Sequence, residues 1–363
     1  MNEFAVAEKF NIGGRVISDV PYGSGHINDT HLVCVEYGGK QDNYILQTIN
    51  TTVFKNPEAL MENYVRVTEH IKNKIKELGG DPEREVLSVI KTRDGKNFYR
   101  SEDGKCWRLL NFIKDSVCYD RVERPEQFYQ SAVAFGNFQY MLRDFPAEKL
   151  YEIIPNFHNT PNRVRLFEEA LEKDVCKRAD GVKKEIDFVL ARREFSRTLE
   201  IARAEGALPL RVTHNDTKLN NILFDKNTGE VLCVIDLDTI MPGYSVNDFG
   251  DAVRFGATTA LEDERDLAKV NFDISLYELY VKGFLLGTCG GLTEREIDLL
   301  PIGAIMMTYE CGMRFLTDYL SGDTYFKTSR PEHNLDRARN QFKLVSDMEK
   351  ELENMKKIIE KYR

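Results

Sequence analysis

The 363-residue sequence predicts an α+β fold in two lobes, an antiparallel sheet with one helix followed by a larger, mainly helical part. Two patterns predict it. Up to about residue 113 the chain alternates short runs of Val, Ile, Leu and Thr with glycine-bearing turns, interrupted by one stretch of helical period. Beyond that point most apolar runs recur at spacings of three and four.

Residues 15–20, 26–36 and 43–49 read as strands, with Tyr37-Gly38-Gly39-Lys40 as the turn joining the last two. From Pro57 onward Ala59, Leu60, Tyr64, Val67, Ile71, Ile75 and Leu78 fall on one helix face, and Gly79-Gly80 ends the helix. Residues 86–90 and turns at Asp94-Gly95 and Asp103-Gly104 lead to a last strand over 106–113. Helices are then predicted over 125–143, 162–176, 183–204, 267–286, 294–320 and 332–362. The lobes are expected at 1–110 and 116–363, joined by a linker at 111–115. No repeat, low-complexity tract or proline-rich tether separates them, so a shared cleft for a small molecule is expected.

Hydrophobic residues at 42% and charged residues at 30% supply core enough for a globular protein and argue against disorder. The formal charge of −9, without a Lys/Arg block, argues against nucleic acid or an anionic membrane as partner. Seven scattered cysteines with no C-x-x-C pair make neither a zinc site nor a disulfide framework, which fits a reducing cytoplasm. No apolar run approaches the roughly 20 residues of a membrane span, and no targeting segment is visible.

The chemistry concentrates in His214-Asn215-Asp216-Thr217-Lys218-Leu219-Asn220-Asn221 and in the apolar run 231–235 that ends at Asp236. One Asp, an Asn five residues on and a second Asp after a short hairpin are the equipment for moving a phosphoryl group: a base and two oxygen ligands for Mg²⁺. Taken alone, Asp216 reads as well as a turn or helix-capping residue. Joined with Lys218, Asn221 and Asp236 at kinase-loop spacing, it reads as the group that accepts the proton of an attacking hydroxyl. The tripeptide Asp248-Phe249-Gly250 copies the protein-kinase metal motif, yet the strand leaving the loop delivers Asp236 first. Asp236 is therefore expected on the metal and Asp248 as a structural anchor of the loop. Asp238, two residues further, is a partner of Asp236 or a substrate contact.

These blocks, with Val234-Ile235-Asp236-Leu237-Asp238 and Asp248-Phe249-Gly250-Asp251-Ala252-Val253-Arg254, resemble the aminoglycoside phosphotransferase and choline kinase-like superfamily, and within it the N-acetylhexosamine 1-kinases. The likeness continues through Gly23-Ser24-Gly25-His26 and Leu46-Gln47-Thr48-Ile49-Asn50. It implies a bilobal protein-kinase-like fold and transfer of the γ-phosphate of ATP to the C1 hydroxyl of an N-acetylhexosamine. The implied nucleotide contacts are Gly23, Ser24, Gly25, Asn111 and Ile113, with Mg²⁺ on Asn221 and Asp236. Asp216 and Lys218 would be catalytic, and His26, Asn215, Asp238, Arg314 and Tyr325 would meet the sugar. His214 is expected to pack and hydrogen-bond within the loop. Other acceptors of the same fold, another sugar, an aminoglycoside, choline or homoserine, remain alternatives, as does a catalytically silent nucleotide-binding protein.

Two departures from protein kinases matter. Asn215 stands where they carry the catalytic-loop arginine, and no Ala-Pro-Glu follows the short segment 237–247, so no protein substrate is expected. Gln47 occupies the place of the lysine that grips the α- and β-phosphates. Glu62 on the following helix would be that lysine's partner, or merely a solvated helix residue. Phosphate charge must then fall to Mg²⁺, Lys218 or an unassigned arginine.

Overall fold

The computed structural model describes residues 3–23 and 27–363. In chain order its elements are α1 (Glu3–Ala7), β1 (Arg15–Pro21), β2 (Thr30–Tyr37), β3 (Lys40–Ile49), α2 (Pro57–Glu77), α3 (Pro82–Glu85), β4 (Val89–Ile90), β5 (Tyr99–Arg100), β6 (Cys106–Asn111) and β7 (Ser116–Val117). There follow α4 (Pro125–Met141), α5 (Thr160–Lys173), α6 (Lys183–Leu190), α7 (Thr198–Ala204), β8 (Arg211–Thr213), β9 (Ile222–Asp225) and β10 (Val231–Val234). The chain ends with α8 (Ser245–Gly256), α9 (Ile274–Thr288), α10 (Glu294–Leu320) and α11 (His333–Tyr362). The α+β class holds: an antiparallel sheet leads and helices follow.

The chain divides into two compact units. The first comprises Met1–Cys118, Asp144–Pro155 and Ile222–Pro242, the second Tyr119–Arg143, Asn156–Asn221 and Gly243–Arg363. A single cut near 111–115 does not describe this, because strand pairing recruits distant segments: β9 pairs with both β7 and β10 in a separate three-stranded sheet, and 222–242 belongs to the first unit with β7.

In the first unit the sheet order is β1-β2-β3-β6-β4, with β5 on β6. Inward residues Val33, Val35, Leu46 and Leu109 are buried with Phe10 and Val16. Helix α2 starts as its sequence demands: Asn56 accepts the Ala59 N–H and Pro57 sits in the first turn, where a missing N–H costs nothing. Its Leu60, Tyr64, Val67 and Ile71 stripe is buried. Strand β2 begins at Thr30, later than the predicted 26–36, and Asn28 before it bonds through its side chain to Asp238; residues 24–26 of the predicted glycine loop lie outside the described part.

In the second unit α10 packs on α8, α11 and α5, and α4 on α9. Three helices differ from expectation. The 183–204 stretch is broken into α6 and α7, where Ser196 and Thr198 hydroxyls bond back to the carbonyls of Arg193 and Phe195. Helix α9 begins later than predicted, at an N-cap supplied by Asp273. Helix α8 was not expected at all. It is buried on nearly every side and carries two glycines, an Asn and two Asp residues, so its helix propensity is low and its polar residues are buried with its apolar ones.

The close approach of α8 and α10 needs its glycines. A Cβ on Gly250 would stand 2.3 Å from the Gly303 carbonyl oxygen, and one on Gly303 would stand 2.3 Å from that of Val246. Gly250→Ala and Gly303→Ala are each expected to lower unfolding free energy by about 1–3 kcal/mol, read as an earlier urea midpoint. An unchanged midpoint would show that the helices separate at no cost. Among the described residues no helix is long and apolar enough to cross a membrane.

Candidate active site

The catalytic loop lies between β8 and β9, and α8 holds it. The buried Asp248 carboxylate accepts the backbone N–H of His214 at 2.9 Å, that of Asn215 at 2.8 Å and the Gln139 amide at 2.7 Å. Burial pushes the Asp248 carboxyl up, against the opposing pull of these donors. Thr217 donates its hydroxyl to the Asp248 carbonyl oxygen and its backbone N–H to Asp251, whose other oxygen takes Arg254 at 2.9 Å. Asp248 is thus the loop's anchor. Phe249 meets the rings of Tyr277, Tyr280 and Phe284 in the core, and Gly250 lets α10 approach. All three residues that copy the kinase metal motif make packing or hydrogen-bond contacts within this unit.

His214 is fully buried and edge-on to Phe135 and Phe138, and its Nδ1 accepts the Asp216 backbone N–H at 3.3 Å. The bond places the ring proton on Nε2 in the neutral form. Asn215 adopts a left-handed backbone, φ 65°, which Asn tolerates better than most residues, and its side-chain amide donates to the Thr213 carbonyl. That turn presents Asp216. Lys218 Nζ lies 2.7 Å from Asp216 Oδ1, and the Asn221 amide donates to Asp216 Oδ2 at 3.1 Å and to its carbonyl at 2.8 Å.

Asp216 and Lys218 side chains retain 28% and 34% of their exposure, enough for a ligand to reach both. Desolvation alone would raise the Asp216 carboxyl; the Lys218 ammonium and the Asn221 amide outweigh it and hold the group below the usual carboxylate range. The Asp216 charge in turn raises Lys218. Asp216 is therefore an ionised acceptor at neutral pH. Asn221 spends its amide nitrogen on Asp216, leaving a carbonyl-type oxygen as its acceptor.

Sequence reasoning missed the support behind this loop. His158 places Nε2 3.4 Å from the Asn215 carbonyl and Nδ1 3.0 Å from Glu310 on α10, whose second oxygen takes the Thr160 hydroxyl at 2.6 Å. No local pattern marks His158, because its partners lie far away in sequence. One turn beyond Glu310, Arg314 lies against Phe157, Tyr325 and Phe326 at 5.4–6.0 Å from the ring centroids. Arg314 and Tyr325 line a cavity of about 340 Å³ together with Arg163, Lys173 and Thr317. Desolvation, then the Arg314 charge, depresses the Arg163 guanidinium, and its buried Nε has no hydrogen-bond partner. Two of the expected sugar contacts thus share one hollow.

In the first unit, the β9–β10 hairpin delivers Asp236 in a left-handed conformation, φ 59° and ψ 55°. Asp238 is 3% exposed, and its oxygens take Arg108 and the Asn28 amide, the latter at 2.7 Å. That engagement favours a partner of the Asp236 segment over a substrate contact. Asn111 spends its side chain on the Ser88 N–H at 2.7 Å and the Glu83 carbonyl, and Ile113 is buried. Glu62 pairs with Arg66 one turn on, so it is a surface helix residue. Gly23 has φ 80°, a turn conformation that suits glycine; Ser24, Gly25 and His26 lie outside the described residues.

A leading antiparallel sheet, a helical unit and an Asp-x-Lys-x-x-Asn loop pinned by a buried carboxylate define a kinase-like phosphotransferase. The chain belongs to the phosphotransferase enzyme family (APH), whose model matches residues 20–279. An aminoglycoside phosphotransferase from Alicyclobacillus acidocaldarius has the same fold, with TM-score 0.64 at 14% identity over 99% of this chain and 97% of its own. Choline kinase from Cryptosporidium parvum follows at TM-score 0.55 and 14% identity over 93% and 90% of the chains. A spectinomycin phosphotransferase solved with ADP and spectinomycin gives 0.53 at 12% over 93% and 94%.

Lys218→Met should raise the Asp216 pKa, because the charge opposing desolvation is lost. Carboxyl ¹³C NMR titration of the two proteins checks this, and a titration that does not move upward would disprove the pairing.

Proposed function

We propose that this protein transfers the γ-phosphate of ATP to the anomeric C1 hydroxyl of an N-acetylhexosamine. The observation that carries the phosphotransfer is the Asp216 carboxylate, kept ionised by Lys218 and aimed by a loop fixed to Asp248. Asp216 orients the attacking hydroxyl and takes its proton; the anomeric hydroxyl is more acidic than an ordinary alcohol, so positioning and charge dominate. Lys218 offsets charge on the transferred group. The nucleotide use of the ADP-bound spectinomycin enzyme supports ATP as donor, with Gly23, Ser24 and Gly25 proposed over its phosphates and the 111–113 segment by its base, through backbone groups since the Ile113 side chain is buried.

The oxygens of Asn221 and Asp236 suit a hard cation, and these residues would hold Mg²⁺, which supplies charge neutralisation at the phosphates.

The sugar assignment rests on the sequence likeness, with Arg314 and Tyr325 in the 340 Å³ cavity as contacts, and His26 and Asn215 as further candidates. That volume suits one small ligand. Other acceptors of the same fold are the alternative. The cavity lining carries Arg163, Lys173 and Arg314 beside Glu169 and Asp318, a mixed set that suits a polar acceptor and does not by its charge separate a sugar from the alternatives.

ADP release measured with a panel of sugars and amino alcohols tests the reading. N-acetylglucosamine or N-acetylgalactosamine should give the highest acceptor-dependent rate, and a cationic acceptor in first place would overturn the assignment. ADP from no acceptor, with ATP still bound, would favour a silent nucleotide-binding protein. Asp216→Asn should cut kcat by about 10²–10⁴-fold while ADP binding persists; near-normal turnover would remove Asp216 as base.

A further inference from the structure

The position that in protein kinases carries the phosphate-gripping lysine is filled here by a network built on Arg108. Gln47 on β3 lies directly opposite Arg108 on β6, so the two side chains share one face of the sheet. Arg108 Nε and Nη2 both donate to Gln47 Oε1, at 3.0 and 2.8 Å. Nη1 donates to Asp238 Oδ1. The guanidinium lies 5.0 Å from the ring centroid of Tyr64 on α2, and the Asn28 amide takes the other Asp238 oxygen at 2.7 Å. The Asn28 side-chain oxygen in turn accepts the Asn50 N–H, and Gln47 donates its own amide to Thr30.

Resting on the kinase reading above, we propose that Arg108 is a positioning residue: it grips Asp238 and thereby fixes Asp236, two residues earlier, for the cation that accompanies the nucleotide. Three magnitudes favour this over direct phosphate contact. Arg108 is 1% exposed, so its guanidinium is closed to a ligand. Its donors are spent on Gln47 and Asp238, not held out to an anion. A buried ion pair is in general a weak source of stability, because desolvation of the two ions offsets their attraction. What the pair does supply is geometry. It joins β3, β6, α2 and the segment before β2 to one turn, and that turn holds Asp236 in a left-handed conformation.

Fluorescent mant-ADP binding, titrated with and without Mg²⁺, tests this with no reference to turnover. Arg108→Met and Asp238→Asn should each weaken the Mg²⁺ affinity of the protein–nucleotide complex by about 10–100-fold, as loss of a group orienting a metal ligand does, with Mg²⁺-free ADP binding little changed. The double variant should lose no more than the worse single one, because both act through one contact. If Arg108→Met does not fold, by circular dichroism, Arg108→Lys takes its place, keeping a cation beside Asp238 without the bidentate fork. Weakened Mg²⁺-free binding in the Arg108 variants alone would overturn the proposal in favour of a phosphate ligand. Wild-type Mg²⁺ dependence in all variants would leave only a structural ion pair. Wild-type protein that binds no nucleotide at all would instead overturn the kinase reading beneath it.

Discussion

The buried carboxylate of Asp248 is the contact on which the catalytic loop depends. Two successive backbone N–H groups, from His214 and Asn215, point at its two oxygens, and the left-handed turn at Asn215 then redirects the chain into Asp216. A buried acid without donors would be costly; with three it becomes a rigid post. Asp216 follows immediately. Its direction is therefore inherited from α8, and α8 in turn is held against α10 by the absence of side chains at Gly250 and Gly303.

A charge of opposite sign plays the comparable part in the other unit. Burial would lower the Arg108 guanidinium, but the carboxylates of Asp238 and Asp236, with Tyr64, more than reverse this and keep it charged. In both units a charge sits in the interior among several hydrogen-bonding partners, and an Asp of the proposed reaction lies within two residues of one of those partners. Such a charge fixes local geometry more than it adds to stability, since breaking the pair would strand an ion in a low-dielectric interior.

The motif residues were legible because kinase chemistry is written at short range. Asp216, Lys218 and Asn221 lie within six residues, and their mutual contacts at 2.7–3.1 Å are local. The long amphipathic helices α2 and α11 were equally plain, since a half-buried helix must repeat its apolar residues each turn. Helix α8 was harder to read because it is short, rich in residues of low helix propensity, and buries its polar residues Asn247, Asp248, Asp251 and Arg254. His158 and Arg108 were missed because their partners stand 152 and 130 residues away, at Glu310 and Asp238.

The sequence by itself determined the α+β class and the phosphotransferase loop, and it led to the proposal of Asp236 over Asp248 as metal ligand, all readings that depend on spacing along the chain. Only the tertiary structure decided what surrounds them. It gave Asp248 its donors, placed Arg314 and Tyr325 in one cavity, and put Arg108 against Gln47 and Asp238. These are contacts between segments far apart in sequence, and their geometry follows from strand register and helix packing, which no local pattern encodes.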